Sequence, residues 1–495
     1  MIALRWVGPA LAATGGVLWA LCFHRVPLTL ASWLALAPLV LLARHPRGAL
    51  LGGLYGFSYW MVAIWWIAPT LEVFGGLPSW LGWCLLAVLA GYLALYNLAF
   101  GWIVHRLWRR RSWALLLGAP AAWVALEWLR GWLLTGFPWN LAAYAWAEMP
   151  GALALTAWVG SWGVSFLLLF ANTGIALGWA RKRWEPAGAA VLAALCLLAV
   201  AARWGGPRSP RAIESASAAG QPVRILQPNI PNLPVYDEQV VFENLEKVLA
   251  QSARACADGA LLIWPESAAW PFTLEDSPLL RQALDRLTRR GCPVLVNTPM
   301  SEAEQDYNSV VLVDRGGPVA RYDKRHLVPY GEYVPLKRLF PFIGTVARAA
   351  GDFTAADEVR LLPWGREGLG AAICFEVIFP GEVAATVRRG ATVLVTVTND
   401  AWYGPTSAPW QHFRAAQFRA AETHRPMLRA AITGVSGSIG PDGEIRSLLG
   451  VDRQGVLADE VVGRTGLTPF VRAPWLTPLL SLVILVVALW RSRAR

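Results

Sequence analysis

GLGAAICFE, residues 368–376, is a run of small and apolar residues that stops abruptly on Cys374, with Phe375 and the acidic Glu376 behind it. It reads as a strand buried on both faces that delivers one reactive side chain at its end. Similar β-branched or apolar runs lie at 223–227 (VRILQ), 260–264 (ALLIW), 293–297 (PVLVN), 309–314 (SVVLVD) and 391–398 (ATVLVTVT). Amphipathic patterns between them predict helices over 237–256, 277–290, 380–389 and 409–424. Ser277-Pro278 and Gly291 supply start and stop signals for the second. Met427 to Glu444 predicts a hairpin turning at Asp442-Gly443. Residues 221–463 therefore read as an α/β domain whose sheets are covered by helices.

The rest of the 495-residue chain has a different solvent. Apolar residues make up 55% of the sequence and charged residues only 16%, a balance suited to a bilayer. Residues 1–204 read as a membrane domain of seven transmembrane helices, near 9–23, 27–43, 48–68, 78–104, 114–134, 153–180 and 186–204. A linker at 205–220 follows, and 474–490 (PWLTPLLSLVILVVALW) reads as an eighth, C-terminal span. The first stretch lacks an Ala-x-Ala-like cleavage site and reads as retained. Arg5, Arg44, Arg47, Arg106, Arg109, Arg110, Arg111, Arg181, Lys182, Arg183 and the terminal arginines fall on one side, and Arg25 nearly alone on the other. The positive-inside rule then makes both termini cytoplasmic and the α/β domain extracytoplasmic. The net charge of +11 is this topology signal, and without a basic tract or RNA-binding signature no nucleic-acid partner is expected.

The 28 tryptophans gather near span ends, as an interfacial belt does. Glu127 and Arg130 lie one turn apart inside the fifth stretch, as an ion pair or as the lining of a headgroup cavity. A Cys256–Cys292 disulfide is conceivable in an oxidising compartment, and sequence spacing does not establish it. No CxxC or Cys/His cluster predicts a metal, and no cofactor is expected.

Glu266, Lys324 and Cys374 each follow a predicted strand, in WPES, DKRHLVPYGEYVP and ICFE. A nearby ammonium favours a thiolate, a carboxylate can take and return the thiol proton, and the ammonium can stabilise an oxyanion. Any one of the three alone is ordinary core or surface; their joint order on one α/β pattern is what carries weight.

These motifs resemble the nitrilase superfamily, which uses a Glu-Lys-Cys triad on an α-β-β-α sandwich, over about half the chain. Its fusion to membrane spans resembles the apolipoprotein N-acyltransferase family. The resemblance implies Glu266 as general base, Lys324 as oxyanion-stabilising cation and Cys374 as nucleophile, with Glu332 and Glu376 as supporting carboxylates. Phe375 stands where the resemblance implies tyrosine. Gln227, Asn229 and the Asn399–Gly404 segment (NDAWYG) match motifs around the pocket, and Trp402 reads equally as core or as an acyl-chain contact. The apolar stretch Leu339 to Ala350 is read as an acyl-contacting lid, with a buried arm as the alternative.

The implied reaction is ping-pong. Cys374 takes an acyl group from a phospholipid, phosphatidylethanolamine being the expected donor, and passes it to the α-amino group of a diacylglyceryl-modified cysteine on an apolipoprotein. The expected setting is a monomer in the bacterial inner membrane. A tethered amidase with the same triad, or a transporter with a catalytically dead sensor domain, are the competing readings.

Overall fold

The computed structural model describes residues 2–24, 28–205, 220–232, 237–257, 259–334 and 352–490. Arg25, most of the expected linker, the expected lid at Leu339 to Ala350 and the terminal arginines lie outside the described residues. The chain divides into two units: one of Met1–Pro69, Pro78–Pro207 and Arg472–Arg495, the other of Thr70–Leu77 and Arg208–Val471.

The first unit is all helical. Four helices, Ser79–Trp108, Ser112–Arg130, Ala152–Arg181 and Glu185–Trp204, are long and apolar enough to cross a membrane, and Gly48–Ala63 with Ile67–Val73 makes a fifth if that pair, bent by 48°, is one span. Among the described residues, four or five of the eight expected spans thus have the length and composition to cross. Ser32–Leu42 and Leu476–Trp490 are apolar helices shorter, over the described residues, than the roughly 20 residues needed to span about 30 Å of hydrocarbon, whereas the first helix, Ile2–Leu21, is 20 residues long. Ser32–Leu42 is interrupted at Leu36, which separates helices Ser32–Ala35 and Ala37–Leu42. The buried Asn172 compensates: its Oδ1 accepts from the Leu36 and Ala37 amides and its Nδ2 donates to the Ser32 carbonyl, all at 3.0 Å. Without water such backbone groups need an internal partner.

Glycines let helices Gly48–Ala63 and Ser79–Trp108 approach closely. A Cβ on Gly52 would lie 2.6 Å from the Asn97 carbonyl oxygen, as expected of small-residue packing between membrane helices. Glu127 and Arg130 form no salt bridge with each other among the described residues. Glu127 Oε1 accepts from the Ala142 amide at 2.7 Å, and Arg130 Nη1 donates to the Phe137 and Trp139 carbonyls at 2.6 and 2.8 Å. Both tie down the loop that follows their helix.

The second unit holds two six-stranded sheets. The first contains β1 (Gln221–Gln227), β2 (Leu261–Ile263), β3 (Val294–Glu302), β4 (Gln305–Asp314), β5 (Gly317–Asp323) and the returning β12 (Gly455–Val461), in the order β12-β1-β2-β3-β4-β5. The second contains β6 (Leu362–Trp364), β7 (Glu367–Ile373), β8 (Val393–Thr398), β9 (Met427–Ala431), β10 (Ser436–Ile439) and β11 (Ile445–Leu449), in the order β11-β10-β9-β8-β7-β6. β1, β2 and β3 run parallel, as do β7, β8 and β9.

Alternate residues of a strand go to different cores. Ile263 joins a cluster with Ile373, Val395 and Leu428 of the other sheet, whereas Leu262 and Trp264 pack with Leu245, Val248, Leu280 and Leu284 of helices Glu238–Ala255 and Pro278–Arg289. A strand buried on both faces cannot afford polar positions, which is why these runs read as continuously apolar. Helices Pro380–Arg388 and Ala408–Thr423 accompany the second sheet: Thr386 lies over Gly370 of β7, and Phe413 over Gly437 of β10. The hairpin turn sits where expected, with Gly443 at φ 82°, a conformation glycine adopts without strain. Cys256 and Cys292 are joined as a disulfide.

Candidate active site

Cys374 follows the last residue of β7 and opens the short 3-10 turn Cys374–Ile378. Its φ is 51°, a left-handed conformation that holds a non-glycine residue at roughly 1–3 kcal/mol of strain. Glu376 secures the turn from the far side. Its carboxylate accepts from the Ile373 amide at 2.7 Å, the Arg325 amide at 2.7 Å and the Tyr322 hydroxyl at 2.9 Å. One buried side chain thereby joins the end of β7 to the end of β5.

Lys324 immediately follows β5, a strand that lies between it and the predicted strand 309–314. Its ammonium, on a residue 1% exposed, lies 2.8 Å from Glu332 Oε1 and 3.8 Å from Glu266 Oε1. Glu266 follows β2. Its Oε2 accepts from the Asn399 amide at 2.8 Å and its Oε1 from Asn308 Nδ2 at 3.1 Å. Asn308 Nδ2 also donates to Glu332 Oε1 at 2.8 Å, and Asn297 Nδ2 donates to Asn308 Oδ1 at 2.7 Å. Glu332 Oε2 accepts from the Val328 amide at 2.8 Å. Asn308 and Asn297 lie inside strands, where an amide carries no periodic signal in the sequence.

Electrostatics set the resting protonation. Burial would lower the Lys324 ammonium, but the charges of Glu332 and then Glu266 outweigh it and hold the lysine protonated. Burial raises Glu266, with Lys324 opposing and Glu332 adding to the rise. Burial and then the Glu266 charge push the Cys374 thiol far up, against the pull of Lys324. The expected thiolate-favouring effect of the lysine is present and outweighed. The cluster rests as a neutral thiol beside a base of raised affinity for protons, an arrangement in which the proton leaves sulfur only as sulfur attacks.

The remaining positions divide. Phe375 faces away into a ring cluster, 5.7 Å from His326 and 5.2 Å from Phe379. Trp402 is 40% exposed, 4.8 Å edge-on to Phe74, and its carbonyl accepts from the Thr70 hydroxyl at 2.8 Å. Gln227 is a structural peg: its Nε2 donates to the Gly450 and Arg453 carbonyls at 2.8 and 2.7 Å and its Oε1 accepts from the Ser436 amide at 3.2 Å. Asn229, at φ 54°, donates its amide to the Ile432 carbonyl and accepts from Lys247 at its own. Among the described residues no group of His, Cys, Asp and Glu could hold a metal ion.

Comparison with known proteins follows this division of the chain. Residues 15–174 match the apolipoprotein N-acyltransferase N-terminal domain, and residues 222–469 match the carbon-nitrogen hydrolase family. Apolipoprotein N-acyltransferase of Geobacter metallireducens is 35% identical over 91% of this chain and 88% of its own length. The Ralstonia nicotianae and Vibrio cholerae proteins of the same name are 35% and 32% identical, each over 99% of this chain and over 94% and 98% of their own lengths. Among solved structures an amidase from Nesterenkonia sp. AN1 is similar at 24% identity and a TM-score of 0.38, over 49% of this chain and 93% of the amidase. With both family matches and full-length relatives above 30% identity, the chain belongs to the apolipoprotein N-acyltransferase family.

Proposed function

We propose that the protein transfers an acyl group from a phospholipid to the N-terminal S-diacylglyceryl-cysteine of apolipoproteins through a thioester on Cys374. The observation that carries the reading is a buried thiol on a strained backbone, its proton affinity raised by burial and then by the Glu266 charge against the pull of Lys324, in a chain whose other unit contains membrane-length apolar helices.

Glu266 takes the thiol proton as sulfur attacks the donor's ester carbonyl, and Lys324 stabilises the oxyanion. The carbon–oxygen bond breaks, Glu266 returns the proton to the leaving alkoxide, and a lysophospholipid departs. The acceptor's uncharged α-amine then attacks the thioester, its proton passes through Glu266 to the departing sulfur, and an amide and free Cys374 remain. Glu332 and Glu376 position Lys324 and the elbow. Trp402, whose ring is 40% exposed, is assigned to acyl-chain contact.

Phosphatidylethanolamine is the assigned donor, and the enzyme is assigned as an inner-membrane monomer. Its catalytic domain, 221–463, is assigned to the periplasmic face, with both termini cytoplasmic. The Cys256–Cys292 disulfide supports an oxidising compartment, in agreement with the basic loops. Incubation with radiolabelled phospholipid is expected to place a hydroxylamine-sensitive acyl group on Cys374, discharged by a diacylated lipopeptide with a free amine. An unlabelled Cys374 in active enzyme would sink the mechanism.

A further inference from the structure

The strained link at Cys374 is gripped on both sides. Toward the strand, the Ile373 amide is held by Glu376. Toward the turn, the Cys374 carbonyl oxygen lies 2.9 Å from His412 Nε2. A carbonyl oxygen can only accept, so Nε2 must carry a proton. The other ring nitrogen, Nδ1, lies 3.0 Å from Asp400 Oδ1 and 3.1 Å from Arg429 Nη2. Burial and then the Arg429 charge depress the imidazole's proton affinity, so the neutral ring accepts from Arg429 at Nδ1 and donates from Nε2. Arg429 Nη2 also reaches Asp400 Oδ2 at 2.8 Å, and the Thr398 hydroxyl donates to Asp400 Oδ1 at 2.8 Å.

His412, Asp400 and Arg429 are all fully buried. They come from three elements, the helix Ala408–Thr423, the turn after β8, and β9. A buried charged set of this kind is retained at a desolvation penalty, and what it aims at is the backbone of the candidate nucleophile.

We propose that His412, fixed in its Nε2–H tautomer by Arg429, which the Asp400 carboxylate holds in place, is a positioning residue that keeps Cys374 in attack geometry through the Cys374 carbonyl. The proposal rests on the reading of Cys374 as nucleophile. It assigns His412 no contact with substrate and no proton transfer.

The test uses the full-length enzyme and two readouts, the rate of Cys374 alkylation by iodoacetamide, followed by mass spectrometry, and the rate and KM of Cys374 acylation by phospholipid. His412→Gln can place an amide N–H where Nε2–H was, whereas His412→Asn is too short. The Gln variant is expected to keep both rates within about threefold and the Asn variant to lose roughly 10- to 100-fold in each, with the phospholipid KM unchanged, because misplacing an attacking atom by a fraction of an ångström penalises rate rather than binding. Wild-type rates in His412→Asn overturn the proposal, as does a Gln variant that melts like wild type yet reacts as slowly as Asn. Should His412→Asn fail to fold, Asp400→Asn replaces one acceptor with a donor at nearly constant shape, and wild-type rates there overturn it equally. If alkylation responds as expected while no acyl group ever reaches Cys374, the acyl-transfer reading fails and the positioning role stands.

Discussion

In the sheet running from β12 to β5, the site residues are charged side chains held by neutral amides: Asn308 bridges Glu266 and Glu332, and Asn297 supports Asn308. In the sheet running from β11 to β6, the site residue is a neutral thiol on a strained backbone, held by titratable groups, the Glu376 carboxyl on one side and, on the other, the neutral His412 backed by the Asp400–Arg429 ion pair. The difference follows from what each half must do. A carboxylate that gains and loses a proton needs neighbours indifferent to its charge, and an amide is polar without titrating. A strained peptide needs partners that do not exchange for water, and fully buried groups with their own hydrogen-bond partners, such as Glu376 and the His412 that Arg429 and Asp400 back, are such partners.

The largest break in the comparison removes the thiol. Cys374→Ala is expected to abolish acyl-enzyme, and Cys374→Ser to lower transfer by roughly 10³-fold or more, since these groups act as a unit. Mass spectrometry of the Cys374 peptide and N-acylation of a reporter lipoprotein measure both, and a Ser variant near wild-type rate would end the nucleophile assignment. On the other sheet, Glu266→Gln should cost about 10²- to 10⁴-fold in kcat, and Lys324→Met about 10²- to 10³-fold. Neither should change the melting temperature as much as it changes rate. A Lys324→Met variant with normal acylation would leave the oxyanion role without support.

How far the sequence carries differs between the sheets in the same way. Glu266, Lys324, Cys374, Glu332 and Glu376 are legible because a charged or reactive residue after an apolar run contradicts its surroundings. Asn308 sits inside β4 and His412 inside a helix in which all residues but Trp410 are buried, so neither interrupts a pattern. β5 and β12 escape because most of their residues are at least partly exposed, and an edge strand lacks the continuous apolar run that marks a central one. Helix breaks are hard to read in the membrane unit for a related reason. Hydropathy registers apolar composition, whereas the break at Leu36 depends on Asn172, more than a hundred residues away.

Glu332→Gln sharpens the contrast more gently. The Glu332 charge raises Glu266, so its removal lowers the Glu266 pKa, and Lys324, relieved of its nearest partner, is free to close on Glu266 and lower it further. The base then stays ionised to more acid pH, and the acid limb of the kcat/KM profile moves to lower pH, with a plateau reduced by roughly tenfold as Lys324 loses its anchor. A limb that moves upward, or stays, would show that Glu332 does not tune the base.

The smallest catalytic effect belongs to Gln227, which the motif resemblance put near the pocket and the hydrogen bonds put between β1 and the β10–β12 end of the sandwich. Gln227→Ala leaves two carbonyls and one amide without partners in a fully buried position. Such losses destabilise by about 1–3 kcal/mol each at most and add only partly. Thermal melting of the purified enzyme should therefore shift downward while Cys374 acylation, measured well below the new melting point, stays within about twofold, the change expected when no transition-state contact is lost. A Gln227→Ala enzyme that melts normally and acylates slowly would move this residue from the frame of the sandwich into the site, and would show that the amide-held sheet extends its control of the chemistry beyond Asn308.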